Sequence, residues 1–182
     1  MKKLLLVLLF FFSFHSFAKD QISIPFTEEN AKYWQYISDQ TMGGVSNGQA
    51  VLEKEKDMFF ARLIGNVSTA NNGGFIQLRS TLSFVNSINN KTIKGVRLNT
   101  RGNGETYHIF IRTSETRSYR DFFYATFVSN NNWEIVDLPF DKFKHRFSNN
   151  SLDGNDIKTF GIVAYGRDFF SDVSVSDIIF YY

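Results

Sequence analysis

Apolar and polar residues alternate along most of this chain, and a period of two predicts strands. Residues 106–113 put Tyr107, Ile109 and Ile111 on one face. Residues 95–100 set Val96 and Leu98 against Arg97 and Asn99, and residues 133–138, 159–165 and 173–182 read the same way. Residues 122–128 differ: Phe123, Ala125 and Phe127 alternate with Phe122, Tyr124 and Thr126, so both faces are expected to be partly buried. Between these runs lie turn signals, Asn71-Asn72-Gly73-Gly74, Gly102-Asn103-Gly104, Ser129-Asn130-Asn131-Asn132 and Asp153-Gly154-Asn155. Helical signals are poor, with one short turn expected over residues 28–33. About nine short strands joined by polar turns, with no βαβ alternation, predict an all-β sandwich or barrel.

Residues 1–18 stand apart from this pattern. Lys2 and Lys3 precede an apolar run over residues 4–14, and Ser16-Phe17-Ala18 offers small residues for cleavage. This predicts a signal peptide over 1–18, a single domain over 19–182, and a protein exported to the periplasm or beyond the cell. No transmembrane segment is expected after cleavage.

That reading changes the charge balance. The chain carries 20 Lys and Arg against 18 Asp and Glu. Lys2 and Lys3 leave with the leader, so the exported protein is formally neutral. No compact Lys/Arg run makes a phosphate-binding footprint, which argues against nucleic acid as a partner. The chain has no cysteine, so stability in an oxidising compartment has to come from packing rather than disulfides. Its 21 Phe, 8 Tyr and 2 Trp suit half-buried pleated surfaces.

Two Gly-Gly steps carry the most local information. Gly43-Gly44 follows Asp39 and Met42, and Gly73-Gly74 follows Asn72. A Gly-Gly step lets the backbone take positive φ without a Cβ penalty, so Gly43, Gly44, Gly73 and Gly74 are read as structural turn devices. Neither has the spacing of a phosphate loop. Asp39 is either a carboxylate at a binding rim or a cap accepting from backbone N–H groups of its own turn.

An ordered set of residues resembles the complex I intermediate-associated protein 30 family. The set begins at Trp34, Asp39 and Met42-Gly43-Gly44-Val45-Ser46, then runs through Phe59, Gly65-Asn66-Val67-Ser68, Asn72-Gly73-Gly74-Phe75 and Arg79. It continues with Gly102-Asn103-Gly104, Tyr107, Arg112-Thr113, Trp133, Leu138-Pro139-Phe140, Phe143, Phe160-Gly161-Ile162 and Asp177-Ile178-Ile179-Phe180. The resemblance covers the chain from about residue 26 to its end. It implies a jelly-roll-like, galactose-binding-domain-like β-sandwich and work in binding or assembly rather than turnover. The best-known members are mitochondrial assembly factors for respiratory complex I. Export would place this chain on the opposite side of the membrane, so that partner does not carry over.

The chemistry-bearing residues are sparse. Beyond the leader there are two histidines, His108 and His145, too few for a zinc site, and no serine in a G-x-S-x-G elbow. No catalytic residue, metal or cofactor is therefore assigned, and the chain is expected not to be an enzyme. Asp153-Gly154-Asn155-Asp156 is read as a solvated turn before a calcium loop. Trp34 and Trp133 are either sugar-stacking platforms or core residues. Arg117, Tyr119, Arg120 and Asp121 make a polar loop suited to an exposed surface. The expected function is a non-enzymatic domain that contacts a protein of the cell envelope around Trp34, Asp39, Met42 and Asn72. The alternative is a carbohydrate-binding module.

Overall fold

Two antiparallel sheets pack face to face in the computed structural model, which describes residues 21–82 and 92–182. The signal-peptide reading of residues 1–18 lies outside the described residues. The strands are β1 (Gln21–Pro25), β2 (Trp34–Ser38), β3 (Asn47–Glu55), β4 (Met58–Val67), β5 (Phe75–Thr81) and β6 (Gly95–Gly102). They continue as β7 (Thr106–Arg112), β8 (Phe123–Val128), β9 (Glu134–Pro139), β10 (Lys144–His145), β11 (Thr159–Tyr165) and β12 (Phe169–Tyr181). The first sheet runs β3-β4-β12-β6-β9, with β1 on the far end of β12, and the second runs β10-β8-β7-β11-β5-β2. The expected short turn is a 3-10 turn at Asn30–Tyr33, and there is no α-helix among the described residues. None of their helices is long and apolar enough to cross a membrane.

The alternation explains the core. Leu63, Val96, Leu98, Val173, Ile178 and Phe180 point inward from the first sheet, and Ile76, Leu78, Ile109, Ile111, Phe160 and Ile162 meet them from the second. Phe160 sits edge-on to Phe180 at 5.5 Å, joining the two layers. Burying each such side chain is worth about 1.5–3 kcal/mol. Strand β12 keeps its inward face through a bulge: the register with β6 shifts between Val175 and Asp177. The extra residue, Ser176, resets the parity so that Ile178 and Phe180 point inward after Val175.

Tyr107 ties the layers together. Its ring is fully buried, and its hydroxyl donates to Asn103 Oδ1 (2.6 Å) and accepts the Asp172 N–H (2.9 Å). Burial pushes its pKa up to about 12, so it stays a neutral donor.

Candidate functional site

The outward face of an antiparallel sheet is ordinarily polar. On the second sheet it is not. Outward parity on β5, β7, β8 and β11 falls on Phe75, Phe110, Tyr124, Val163 and Tyr165, and Phe122 just before β8 joins them. Phe110, Phe122 and Val163 form a second buried cluster, with Phe75, Tyr124 and Tyr165 packed against it. Phe110 stacks on Phe122 at 3.9 Å and meets Tyr165 edge-on at 5.2 Å. These rings floor a cleft of about 890 Å3. Residues 119, 120 and 146 wall it on one side, and the two Gly-Gly turns wall it on the other.

Those turns are positioned by one carboxylate. Asp39 is fully buried at the start of a 3-10 turn, Asp39–Met42. Its Oδ1 accepts the Ser46 N–H (2.9 Å), and its Oδ2 accepts the Ser46 hydroxyl (2.5 Å) and the N–H groups of Gly74 (2.5 Å) and Phe75 (3.1 Å). The first turn is thereby fastened to the second, across 35 residues of sequence. Burial alone would raise the Asp39 pKa. The Ser46 hydroxyl and the Gly74, Phe75 and Ser46 N–H groups outweigh it and hold the carboxyl below the usual range. Glycine is required here on two counts. Gly43 (φ 87°) and Gly74 (φ 123°) have positive φ, while a Cβ on Gly44 or Gly73 would overlap the Asp39 carboxylate.

The polar groups of the cleft are unusual for being left unused. Gln77, 5% exposed in the centre of β5, has no partner for Oε1. Gly161, opposite Arg79 and diagonal to Gln77 on β11, leaves that oxygen room, since a Cβ there would stand 3.3 Å from it. Arg112 donates from Nη2 to the Tyr119 carbonyl (2.8 Å), but its Nε and Nη1 are buried without a partner. His108, beside the cleft, packs among Phe110, Tyr124 and Tyr165. Burial, and then the Arg167 cation, press its pKa down to about 4, so it is neutral under ordinary conditions.

The structure separates the four residues grouped from sequence. Met42 and Asn72 line the cleft, at the tips of the clamped turns. Asp39 lies beneath them with both oxygens engaged, the capping role rather than the rim role. Trp34 has inward parity on β2 and packs on Phe26 (4.9 Å) and Phe160 (6.4 Å), away from the cleft. Trp133 covers Phe60 (5.4 Å) on the outer side of the first sheet, with Arg101 over its ring (4.7 Å). Tyr119 and Arg120 reach the cleft, as an exposed loop would. Asp153 and Asp156 are spent on Asn155 and Ser114 of neighbouring turns.

One arrangement was not visible in the sequence. Asp121 Oδ1 lies 2.7 Å from His145 Nε2, and the Ser148 hydroxyl lies 2.8 Å from His145 Nδ1. The Phe147 N–H also donates to that Nδ1 (3.3 Å), and the Asn150 N–H donates to the same hydroxyl (3.2 Å).

Two antiparallel sheets packed as a jelly-roll-like sandwich, with a cleft walled by two turns that one carboxylate fastens together, fit a galactose-binding-domain-like fold. The family model for complex I intermediate-associated protein 30 matches residues 22–171, and the chain belongs to that family. No curated protein matches it in sequence. Among solved structures, it is similar to the family 11 carbohydrate-binding module of Clostridium thermocellum in complex with a β-1,3-1,4-mixed-linked tetrasaccharide. The TM-score is 0.70 at 13% identity, covering 90% of this chain and 96% of that one. A second structure of that family, from a cellulosomal cellulase of Clostridium thermocellum, gives 0.66 at 12% identity, with 82% and 87% covered. A family 30 carbohydrate-binding module gives 0.54 at 13% identity, with 80% of each chain covered.

Proposed function

We propose that this chain is a non-catalytic binding domain that holds a saccharide in the cleft of its second sheet. The observation that carries this is the pairing of an aromatic floor with unpartnered polar atoms in one cavity. A sugar ring offers apolar C–H faces to rings such as Phe110 and Tyr165, and hydroxyls to the Gln77 and Arg112 side chains of the lining, whose buried unpartnered atoms a small rotamer shift would turn toward it. The cleft volume falls within the range of ligand sites, about 300–1,000 Å3. The tetrasaccharide bound by the similar family 11 module supports the same reading. The Ser148–His145–Asp121 chain is taken as a lock on its own loop, because two further N–H groups occupy the histidine nitrogen and the serine oxygen. Loss of any hydrolytic turnover in Ser148→Ala would reject that view.

A protein partner is the second reading. It is favoured by Met42 and Val45, 44% and 48% exposed at or beside the first turn, and by the family's description as associated with a complex I intermediate. Tyr165→Ala and Met42→Asp distinguish the two. A saccharide site loses glycan binding in Tyr165→Ala while the variant, destabilised but below its melting temperature, stays folded by circular dichroism. A protein site keeps its partner in Tyr165→Ala and loses it in Met42→Asp. Glycan binding untouched by Tyr165→Ala would overturn the cleft as the saccharide site. The protein is also proposed to be exported, from its first 18 residues.

A further inference from the structure

Resting on the cleft as a saccharide site, we propose that its ligand is an acidic saccharide, one bearing uronate carboxylates or sulfate esters, and that Arg79, Arg112 and Arg146 read its charge.

The charge distribution makes the argument. Over the whole chain acidic and basic residues nearly balance, yet the cleft lining holds four arginines and no Asp or Glu. Of the five arginines elsewhere in the protein, four are paired with carboxylates, and only Arg117, on an exposed loop, is not, among the described residues. Arg62 pairs with Asp172 (2.8 Å) and Glu53 (3.4 Å), Arg97 with Asp137 (3.2 Å), Arg101 with Glu55 (3.0 Å), and Arg167 with Glu105. Among the described residues, none of Arg79, Arg112, Arg120 and Arg146 has a carboxylate partner. Arg146 rests instead on rings, Phe122 at 5.1 Å and Tyr165 at 6.0 Å, which hold a guanidinium without cancelling its charge. Arg120 does the same over Tyr119 (5.4 Å).

Nearby anions are already committed. Asp121, the carboxylate that Arg112 feels most, lies 2.7 Å from His145 Nε2 and accepts the Arg117 N–H (3.2 Å). Burial first, and then the like charge of Arg79, pull the Arg112 pKa down to about 10. Two cations facing one partly dry cavity, with donors left over, are stabilised by any anion placed between them. A neutral glucan would leave that repulsion in place. The aromatic floor adds a second requirement, apolar faces on the same ligand, which a bare inorganic anion does not meet.

The test is a glycan array carrying uronate and sulfated oligosaccharides beside neutral glucans, galactans and mannans, followed by calorimetry on the strongest hit. Acidic glycans are expected to bind at least about tenfold tighter than neutral ones of equal length, and to weaken at high salt. Arg112→Gln, and independently the more exposed Arg146→Gln, should each weaken binding about tenfold or more with the melting temperature held. Arg97→Gln, on the other sheet, should not. Neutral glycans bound equally well, or binding indifferent to both arginine variants, would overturn the acidic ligand and leave the saccharide site standing. Poly-glutamate bound as tightly, with the same arginine dependence, would overturn the saccharide class. An array with no hits would overturn both readings.

Discussion

Replacing Asp39 by Asn tests whether one carboxylate holds both turns. The side chains are nearly isosteric, so packing is kept and only the acceptor set changes. Four donors converge on Asp39, two from Ser46 and one each from Gly74 and Phe75. The amide does best with its oxygen in the Oδ2 position, keeping three of them, and its NH2 then faces the Ser46 N–H. Loss of charge assistance costs about 0.5–1 kcal/mol for each of the three, and a buried donor set against a donor costs about 1–3 kcal/mol. The total is about 2.5–6 kcal/mol, a large part of the 5–15 kcal/mol that holds a domain of this kind together. Asp39→Ala strands three N–H donors, while the Ser46 hydroxyl keeps the Ser68 carbonyl (3.2 Å), and it is expected not to yield folded protein. Urea unfolding followed by tryptophan fluorescence measures the Asn variant. A companion pair uses the glycines. Gly43→Ala meets open space and bears only the strain of φ 87°, about 1 kcal/mol, whereas Gly44→Ala drives a Cβ into the Asp39 carboxylate and costs more. A loss below about 1 kcal/mol for Asp39→Asn, or equal costs for the two glycine variants, refutes the clamp.

Acid should weaken the fold in two windows. His108 has a folded pKa of about 4 against an ordinary 6.5, so the unfolded chain takes up a proton that the folded chain refuses, and stability falls as pH drops from about 6.5 to about 4. After allowance for the partial exposure of the ring, the loss is about 1–3 kcal/mol. Asp39, with its depressed folded pKa, contributes stability above the ordinary carboxylate range, and this is lost as pH falls below it through the lower folded value. His108→Phe should abolish the upper window alone, and urea midpoints that stay flat across that window in the parent protein would count against the buried neutral ring. Export predicts that protein recovered from its native host begins at Lys19, and an intact Met1 on protein from the cytoplasm would reject it.

The fold was legible because parity is a local property. The run over residues 159–165 is β11 to the residue, and those over residues 95–100, 106–113 and 173–182 fall on β6, β7 and β12 within a few positions. The pattern did not mark β1 to β5 or β10, and two of these have a reason to be faint: β10 is only two residues long, and β3 ends in Glu-Lys-Glu at a sheet edge, where charges guard the open hydrogen bonds. The cleft was harder to see because it depends on which of two apolar faces closes over the core. Residues 122–128 showed apolar residues on both faces, and that was its one local signal. Nothing in the run says that Phe122 looks into a cavity while Phe123 looks into the core. Trp34 illustrates the converse. Its size drew attention, but it shares parity with Tyr36 and faces inward, so the cleft receives Ile37, an unremarked neighbour of opposite parity. Arg79 and Arg112 were visible as residues of the family pattern, but their lack of carboxylate partners is a property of space and not of sequence.

The two Gly-Gly turns show what long-range pairing adds. In sequence they are separate devices, each explained by the φ freedom of glycine, and Asp39 serves only the nearer one. In the folded chain the two sets of glycines answer to the same side chain: Gly44 and Gly73 make way for its carboxylate, and the Gly74 N–H binds it. This brings Met42 and Asn72 to the lining of one cleft, although they come from turns 30 residues apart in sequence. A carboxylate placed to bind ligand would keep an oxygen free. Asp39 keeps none, so under the proposed binding role it would act through the backbone it holds.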